Sequence, residues 1–274
     1  MGIIIEKKGC ICVIISTLAC SCFQLRKQKI SCLIKLKMLV SVVIPCFNEE
    51  KVIAACLTAL VSQKTSHSFE VIVVNNNSTD QTVEIIKKFR DKLDLRIAQQ
   101  KKKGRGPARK MGFQYAKGNI ILSTDADTIV PPKWIETLVN SLLLEKNIAV
   151  TGSSKIVDCG WSANAIFNLI QPLSMRFYRI FFGHYWLSGF SFGISKKIYD
   201  KSGGFNDDIN GLEDIDLSFK VKKIGVIKFI PNIPVIFSGR RFSKGLLKGL
   251  FSYINQFFIY FFYREKKVFF SDIR

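Results

Sequence analysis

Residues 119–128 have the sequence Asn-Ile-Ile-Leu-Ser-Thr-Asp-Ala-Asp-Thr, an apolar run that ends in two carboxylates. In extended backbone, the side chains of residues i and i+2 point the same way from Cα atoms roughly 6.5 Å apart. Asp125 and Asp127 can therefore converge on one hard divalent cation, whose open positions phosphate oxygens can fill. The alternative is a polar turn that caps a helix after Pro131, because Asp is common in such turns. This stretch alone does not choose between the two interpretations.

Strands and helices alternate on both sides of this stretch. Apolar runs predict buried strands at 40–44, 69–74, 95–98 and 119–123, and helical spacing predicts helices from Val52 to Val61 and from a cap at 78–80 to about Arg90. This alternation is typical of an α/β protein with a doubly wound, mostly parallel sheet. Ligands of such sheets bind outside the carboxyl ends of the strands. We therefore expect the polar loops at 45–49, 75–77 and 125–127 to meet in one crevice.

Five segments in this order resemble the inverting nucleotide-sugar glycosyltransferases of family two, which have the GT-A fold. The segments are 41–50, 71–80, 106–109, 116–119 leading into 125–127, and 203–205 followed by 213–214, and together they cover about residues 39–240. The resemblance implies a Rossmann-like nucleotide half and a hexosyltransferase-type activity. Such an enzyme moves a sugar from a UDP- or GDP-linked donor to an acceptor hydroxyl or phosphate, in glycan or glycolipid synthesis.

The resemblance also implies roles for individual residues. The donor nucleotide would lie across Pro45, Glu49 and Asn76, with Arg109 near the base or a phosphate. Asp125 would contact the ribose or the metal, and Asp127 would be the main ligand of a divalent metal, Mn²⁺ or Mg²⁺. Further candidates for contacts with the diphosphate or the acceptor are Gly189, Glu213, Arg240 and Arg241.

A second acidic segment supplies the candidate base. A helix that begins near Leu212 would place Asp214 on the face of Leu217 and Val221, so Asp214 is expected to point inward. Glu213 is expected on a neighbouring, more polar face. Inverting transfer needs a base that takes a proton from the acceptor hydroxyl, and the resemblance assigns this role to Asp214. The alternative is that these acidic side chains merely complement the helix N-terminus.

The sequence departs from the family pattern in the donor region. Asn75 and Asn76 end the second strand where aspartates are usual. An Asn oxygen still accepts a hydrogen bond from a base N–H, without the assistance of a charge. Lys110 follows Arg109 where an asparagine is common, and it extends a basic run that begins at Lys101. That run is either a loop that attracts the diphosphate or a solvated hinge.

Histidine usage departs as well. Some relatives bind the metal through a late histidine, but residues 237–241 are Phe-Ser-Gly-Arg-Arg. The two histidines of the chain, His67 and His184, lie elsewhere. We expect both to be structural or surface residues.

Composition separates the core, residues 38–240, from the two ends. Residues 1–37 hold five of the eight cysteines, a pattern that leaves the core typical of a reducing, cytoplasmic compartment. The charge-free stretch 9–25 is either a membrane anchor or sequence upstream of a true start at Met38. Residues 241–274 predict an aromatic amphipathic helix, which lies on a membrane surface or packs on the domain as ordinary core.

The net charge of +20 points to an anionic partner. Zinc-finger and helix-turn-helix patterns are missing from the sequence, which argues against nucleic acid. The Phe-rich segments 166–186 and 241–274 favour an anionic membrane surface, a lipid-linked or glycan acceptor, and a peripheral position on its cytoplasmic face. Two alternatives to sugar transfer stay open: a nucleotidyltransferase, which shares the sheet and the metal carboxylates, and a non-catalytic sugar-nucleotide-binding protein.

Overall fold

The computed structural model describes residues 4–7, 10–13, 38–143, 147–206, 208–209, 211–242, 251 and 255. The chain divides into two compact units, Met1–Leu36 and Lys37–Arg274. In the first unit, β1 (Ile4–Lys7) pairs antiparallel with β2 (Cys10–Val13). The second unit contains the four predicted strands and the helices predicted from Val52, from the cap at 78–80 and from near Leu212.

The described part of the second unit contains an eight-stranded sheet. Along the chain its strands are β3 (Leu39–Cys46), β4 (Ser68–Asn75), β5 (Leu95–Gln99), β6 (Ile120–Ser123), β7 (Thr128–Ile129), β8 (Asn147–Lys155), β9 (Phe192–Ser195) and β10 (Val226–Phe237). Their order in space is β5-β4-β3-β6-β9-β8-β10-β7. The strands β5, β4, β3 and β6 are parallel, as are β8 and β10, whereas β9 and β7 run antiparallel to their neighbours. The predicted mostly parallel α/β sheet is confirmed.

Helices cover both faces of this sheet. They are α1 (Ile53–Val61), α2 (Thr82–Lys87), α3 (Arg105–Tyr115), α4 (Trp134–Leu143), α5 (Trp161–Phe182), α6 (Lys196–Lys201) and α7 (Glu213–Lys222), followed by a 3-10 turn at Gly239–Phe242. The helix predicted to reach Arg90 ends at Lys87, because the chain tightens into i→i−3 hydrogen bonds from Lys88 onward.

Alternating side chains of β3 divide the core between the two faces. Val40, Val42 and Ile44 belong to one buried cluster with residues of α1 and α4, whereas Val43 belongs to a second cluster with residues of α3 and α7. Each fully buried side chain of this size contributes about 1.5–3 kcal/mol. The two clusters hold the carboxyl ends of the parallel strands in a fixed arrangement.

The position of the acidic turn at the carboxyl ends of the strands follows from the lengths of β3 and β6. The ladder between β3 and β6 ends with Val43 opposite Ser123, whereas β3 continues along β4 through Pro45, which lies opposite Val74. The missing N–H of Pro45 is tolerated because the β6 ladder has already ended there. The chain leaves β6 beside Pro45 and forms the turn that carries both aspartates.

The turn itself differs from the expected extended geometry. The N–H of Thr128 donates to the carbonyl of Asp125 at 3.2 Å, so Asp125 and Asp127 lie on a tight turn. The short strand β7 follows at once and pairs with β10, with Thr128 opposite Phe237. This pairing brings the 3-10 turn after β10 next to the aspartates, where the N–H of Ser238 donates to the carbonyl of Asp127 at 3.3 Å.

Two predictions concern the ends of the chain. The amphipathic helix predicted for residues 241–274 lies outside the described residues, apart from the first positions and residues 251 and 255. Of the stretch 9–25, the described residues are those of β2. In the described ranges, none of the helices combines the length and the apolar character that crossing a bilayer requires.

Candidate active site

A buried guanidinium lies at the centre of the site. Arg109 of α3 is 2% exposed, and its Nη1 and Nη2 donate to Oε1 of Glu213 and Oδ1 of Asp125. Burial alone would lower the pKa of Arg109, but the charges of Asp125 and Glu213 raise it above its ordinary value. Arg109 therefore stays charged and joins the acidic turn after β6 to the first residue of α7.

Small residues let α3 lie close enough to make this connection. The helix follows Gly104, whose φ of 136° is one that residues with a side chain rarely adopt. A Cβ at Gly112 would collide with Val43 of the sheet, and a Cβ at Gly106 would collide with the backbone of the loop before α7. Glycine at these two positions allows the close packing that puts Arg109 between the turn and α7.

Asp214 follows at the start of α7. Its Oδ2 accepts the N–H of Gly189 at 2.8 Å, and its Oδ1 accepts the N–H of Ile215 at 2.9 Å. Burial and the neighbouring Glu213 charge raise the pKa of Asp214 to about 6, although Arg109 and the Gly189 N–H act in the opposite direction. A carboxylate with a pKa near neutrality is well suited to accept a proton.

The structure corrects the expected exposure of Glu213. The helical pattern predicts a polar face for this residue, yet Glu213 is 1% exposed, and the half-buried residue is Asp214. The ion pair with Arg109 and a hydrogen bond from the N–H of Gly211 at 2.8 Å compensate for the burial of the Glu213 carboxylate. Glu213 thus contacts protein groups in this structure.

Gly189 lies between the carboxylate of Asp214 and the guanidinium of Arg109. Its N–H is bound by Asp214, its carbonyl accepts the hydroxyl of Ser123 at 3.1 Å, and a Cβ at this position would overlap with the guanidinium of Arg109. Its described contacts are with protein groups, and its predicted contact with the diphosphate or the acceptor stays a prediction. Its contacts show why glycine is required, since any side chain would displace Arg109.

A second guanidinium bridges Glu49 and Asp127. Nη2 of Arg240 lies 2.7 Å from Oδ2 of Asp127 and 3.0 Å from Oε2 of Glu49, which is buried. Burial and the charge of Asp125 raise the pKa of Asp127, and the hydrogen bond from Arg240 opposes that rise. The β7–β10 pairing makes this contact possible. The side chain of Arg241 lies outside the described part of the structure.

The donor set of the acidic turn fits a divalent cation. Asp125 and Asp127 are hard oxygen ligands, and the charge of Asp125 reaches Asp127 strongly enough to raise its pKa. A bound cation would relieve that repulsion. Within the described residues, no group of three or more His, Cys, Asp or Glu side chains is placed to hold a metal. A metal here would therefore take its remaining ligands from the substrate or from water.

The expected alternative role of the turn, as a helix cap, receives no support. Strand β7 and residues 130–133 separate the turn from α4. The carboxylates of Asp125 and Asp127 are instead bound to Arg109 and Arg240.

The two asparagines make hydrogen bonds to the protein itself, and the predicted contact of Asn76 with the donor stays a prediction. Both N–H groups of the Asn76 amide donate to carbonyls, of Gln100 at 2.9 Å and Lys102 at 2.8 Å, and its Oδ1 accepts the N–H of Gly104 at 2.7 Å. The Asn75 amide donates to the side chain of Gln99 at 2.8 Å. These hydrogen bonds hold residues 99–104, which include the loop before α3. The basic run that begins at Lys101 therefore starts on a loop that is bound to the end of β4. A base contact by Asn76 would have to use the second lone pair of Oδ1.

Arg105 is a site residue that sequence reasoning counted only within the basic run. It is the first residue of α3, and its charge lowers the pKa of both Asp127 and Asp214. The sequence signal that could have identified it is its position directly after Gly104, at the start of a helix whose fifth residue is Arg109. The first turn of α3 thus carries a positive charge that acts on both Asp127 and Asp214.

The remaining predicted residues pack in the core. Pro45 is buried within β3. His184 is buried, its Nε2 lies 3.3 Å from Oγ of Ser218, and burial lowers its pKa. His67 is 4% exposed and accepts the N–H of Met38 at 3.4 Å. Both histidines are structural.

A mostly parallel sheet with an acidic turn after β6 and a carboxylate on the helix before β10 is the arrangement expected of a GT-A-type fold, and solved structures share the fold. The mannosyltransferase PcManGT from Pyrobaculum calidifontis, solved with GDP-Man and Mn²⁺, has a TM-score of 0.61 over 85% of this chain and 71% of its own, with 18% identity. The S. aureus TarS 1–349 structure with UDP has a TM-score of 0.60 over 74% of this chain and 60% of its own, with 22% identity. At these identities the likeness establishes the fold.

Sequence similarity establishes the family. The profile of glycosyl transferase family 2 matches residues 41–203, which include both aspartates of the turn and end before α7. The probable glycosyltransferase YdaM of Bacillus subtilis (strain 168) is 31% identical over 207 residues, which are 70% of this chain and 49% of YdaM. The hyaluronan synthase of Pasteurella multocida is 34% identical over 120 residues, 43% of this chain and 12% of the synthase. The chain belongs to glycosyl transferase family 2, as the resemblance predicts, and it spans half or less of these relatives.

Proposed function

We propose that this protein is a metal-dependent inverting glycosyltransferase that moves a sugar from a nucleoside diphosphate to an acceptor hydroxyl. The observation that carries the proposal is the Arg109 bridge, which joins Asp125 of the acidic turn to Glu213, the neighbour of Asp214. This bridge supports a common site for the proposed metal ligands and the proposed base. Family membership supports the reaction class.

The donor side of the reaction belongs to the acidic turn. We propose that Asp127, with Asp125, holds a divalent ion, which when bound neutralises charge on the departing nucleoside diphosphate. Arg240 and Arg105 add positive charge near the same carboxylates. Because PcManGT was solved with GDP-Man and TarS with UDP-GlcNAc, we propose a UDP- or GDP-linked donor.

The acceptor side belongs to Asp214. We propose that the acceptor oxygen forms a bond to the anomeric carbon as the bond from that carbon to the diphosphate oxygen breaks. The proton of the acceptor hydroxyl passes to the carboxylate of Asp214, and the nucleoside diphosphate leaves. The hydrogen bond from Gly189 orients the carboxylate for this transfer.

We further propose that the acceptor is a glycan or a lipid-linked molecule and that the protein is peripheral on the cytoplasmic face of a membrane. The net charge of +20 supports attraction to an anionic surface. Relatives named for hyaluronan, chondroitin and poly(ribitol-phosphate) chemistry support an acceptor that belongs to a growing polymer.

Thermal unfolding with candidate donors tests the donor class. We expect a UDP or GDP sugar to raise the melting temperature of the folded protein, and to do so more in the presence of Mn²⁺. The released product then identifies the reaction. Nucleoside diphosphate is expected, whereas pyrophosphate would establish a nucleotidyltransferase and tight binding without any turnover would establish a non-catalytic binder.

Asp214→Asn tests the base. The amide oxygen of Asn still accepts the Gly189 N–H, so we expect unchanged donor affinity and a loss of about 10²–10⁴ in kcat. Asp216→Asn is the matched control, because Asp216 lies on the same helix and pairs with Lys220 at 2.9 Å. Equal activity of Asp214→Asn and the wild type would remove Asp214 from the mechanism.

A further inference from the structure

Helix α5 carries an exposed apolar face. Large apolar side chains recur every three or four residues, in two places as adjacent pairs, and they are Ile166, Leu169, Ile170, Leu173, Phe177, Ile180 and Phe181. This spacing places them on one side of the helix. Phe181 is 79% exposed and Ile180 is 75% exposed. A contiguous surface of this kind on a folded domain marks an interaction site.

The opposite side of α5 is fixed to the domain. Phe167, Gln171, Met175 and Tyr178 are buried, and the Gln171 side chain accepts the N–H of Ser154 on β8 at 3.3 Å. The helix therefore cannot turn its apolar face inward without breaking this packing. The apolar face is therefore held outward on the surface of the described part of the domain.

Charge around the face selects the partner. The sequence contains no acidic residue between Asp158 and Asp200. Arg176 and Arg179 are exposed beside the face, and Lys222 donates to the last carbonyl of α5. Apolar side chains bordered by basic ones suit an anionic lipid surface. A symmetric second copy fits less well, because it would place two sets of these basic side chains against each other.

We propose that this α5 face binds an anionic phospholipid surface, with the helix lying in the plane of the interface. The inference rests on the proposed membrane attachment and names the surface responsible. The apolar side chains enter the acyl boundary, and Arg176 and Arg179 bind lipid phosphates. Tyr178 packs against Trp186 at 4.9 Å between ring centroids, so the bound helix is connected to the loop that leads to Gly189.

A tryptophan placed in the face reports its position directly. We expect vesicles of phosphatidylcholine and phosphatidylglycerol to shift the fluorescence emission of the introduced tryptophan to shorter wavelength in the full-length Phe177→Trp variant. Brominated acyl chains should quench that emission. Vesicles of phosphatidylcholine alone should do so weakly. If the protein floats with anionic vesicles while the added emission stays unshifted and unquenched, another segment binds and the proposal is overturned.

Substitution of the face tests its contribution. Ile180→Ser with Phe181→Ser should lower vesicle binding at least about tenfold, since burial of one large apolar side chain already shifts a partition equilibrium by that much. Tyr115→Ser, at a residue of α3 that is 55% exposed, should bind like the wild type. Unchanged binding of the double variant would overturn the proposal, as would a wild-type dimer in sedimentation that the double variant abolishes.

The transferase reaction is measured separately on the same variants. Donor turnover with a water-soluble acceptor should be unchanged in the double variant. The two substituted residues are not among the partners of Arg109 or Arg240 in the site. A protein that binds vesicles through α5 but never turns over a donor would refute the proposed function and leave this surface in place.

Discussion

The two arginines of the site differ in burial, and the difference separates a fixed connection from an exchangeable one. Arg109 is 2% exposed and binds a carboxylate at each end of its guanidinium, whereas Arg240 is 35% exposed. Removing one partner of a buried ion pair leaves an uncompensated charge, while a partly exposed pair exchanges with water or ions at little cost. We therefore expect Arg109 to hold the architecture and Arg240 to release Asp127 when a metal binds.

The largest effect should come from breaking the buried cluster. Arg109→Met keeps most of the side-chain volume but leaves the carboxylates of Asp125 and Glu213 without their counter-charge. We expect a loss of about 3–5 kcal/mol in the free energy of unfolding, measured by urea denaturation. Arg90→Met, at an exposed arginine, should change it by less than about 0.5 kcal/mol. Similar urea midpoints for both variants would show that Arg109 is not a framework residue.

A smaller loss should follow from crowding the same guanidinium. Gly189→Ala adds a Cβ that overlaps with Arg109, and we expect about 1–3 kcal/mol of destabilisation. In an Arg109→Ala background the clash disappears, so the same substitution should cost much less. A double-mutant cycle measures this coupling, and purely additive losses would contradict the predicted contact.

The pH dependence of kcat/KM tests the role of Asp214, the carboxylate next to the buried Arg109–Glu213 pair. Asp214 must be ionised to accept a proton, and its pKa is about 6. Activity should therefore fall as the pH decreases through that value, approaching tenfold per pH unit. The charges that face Asp214 are Glu213, Arg109 and Arg105, so loss of the Arg109 charge should move the acid limb to higher pH. A profile that stays flat from about pH 7 to about pH 5 would exclude this assignment.

The smallest change in stability should come from the exposed cluster. Arg240→Gln should lower the free energy of unfolding by less than Arg109→Met does, because Arg240 is 35% exposed to water, although its partner Glu49 is buried. The same variant should bind Mn²⁺ more tightly in calorimetry without substrate, since Arg240 no longer competes for Asp127. Arg240→Lys retains the charge and should resemble the wild type. Weaker Mn²⁺ binding by Arg240→Gln would mean that Arg240 supports the metal site rather than competes with it.

Local patterns were sufficient for the first four strands of the sheet, β3 to β6, and for the position of the acidic turn after β6. The alternation of short apolar runs with amphipathic segments reflects burial within each element, and the carboxyl-end rule then placed Glu49, Asn76 and Asp127 at one edge. The strands predicted at 95–98 and 119–123 agree with the structure to within one residue at each end. These features depend on neighbours in the sequence, which is why the sequence reveals them.

The pairing of charges could not be predicted in the same way. Arg109 and Glu213 are 104 residues apart, and Arg240 and Glu49 are 191 residues apart. Helical periodicity assigned Glu213 to a polar face because it contains no information about a guanidinium arriving from another helix. The amide of Asn76 was likewise expected to face a ligand, although the backbone of a later loop uses it. Tertiary packing decides such contacts.

The pairing of β7 with β10 has a consequence for synthesis of the protein. Arg240 reaches Asp127 because the last strand of the sheet aligns beside the two-residue strand that follows the acidic turn. A nascent chain can build the parallel strands early, but it cannot complete this site until about residue 240 has left the ribosome. Closing so long a loop is entropically costly, so we expect this contact to form late in refolding. A product that terminates before β10 would lack Arg240 and the β7–β10 pairing, so it could not form this contact.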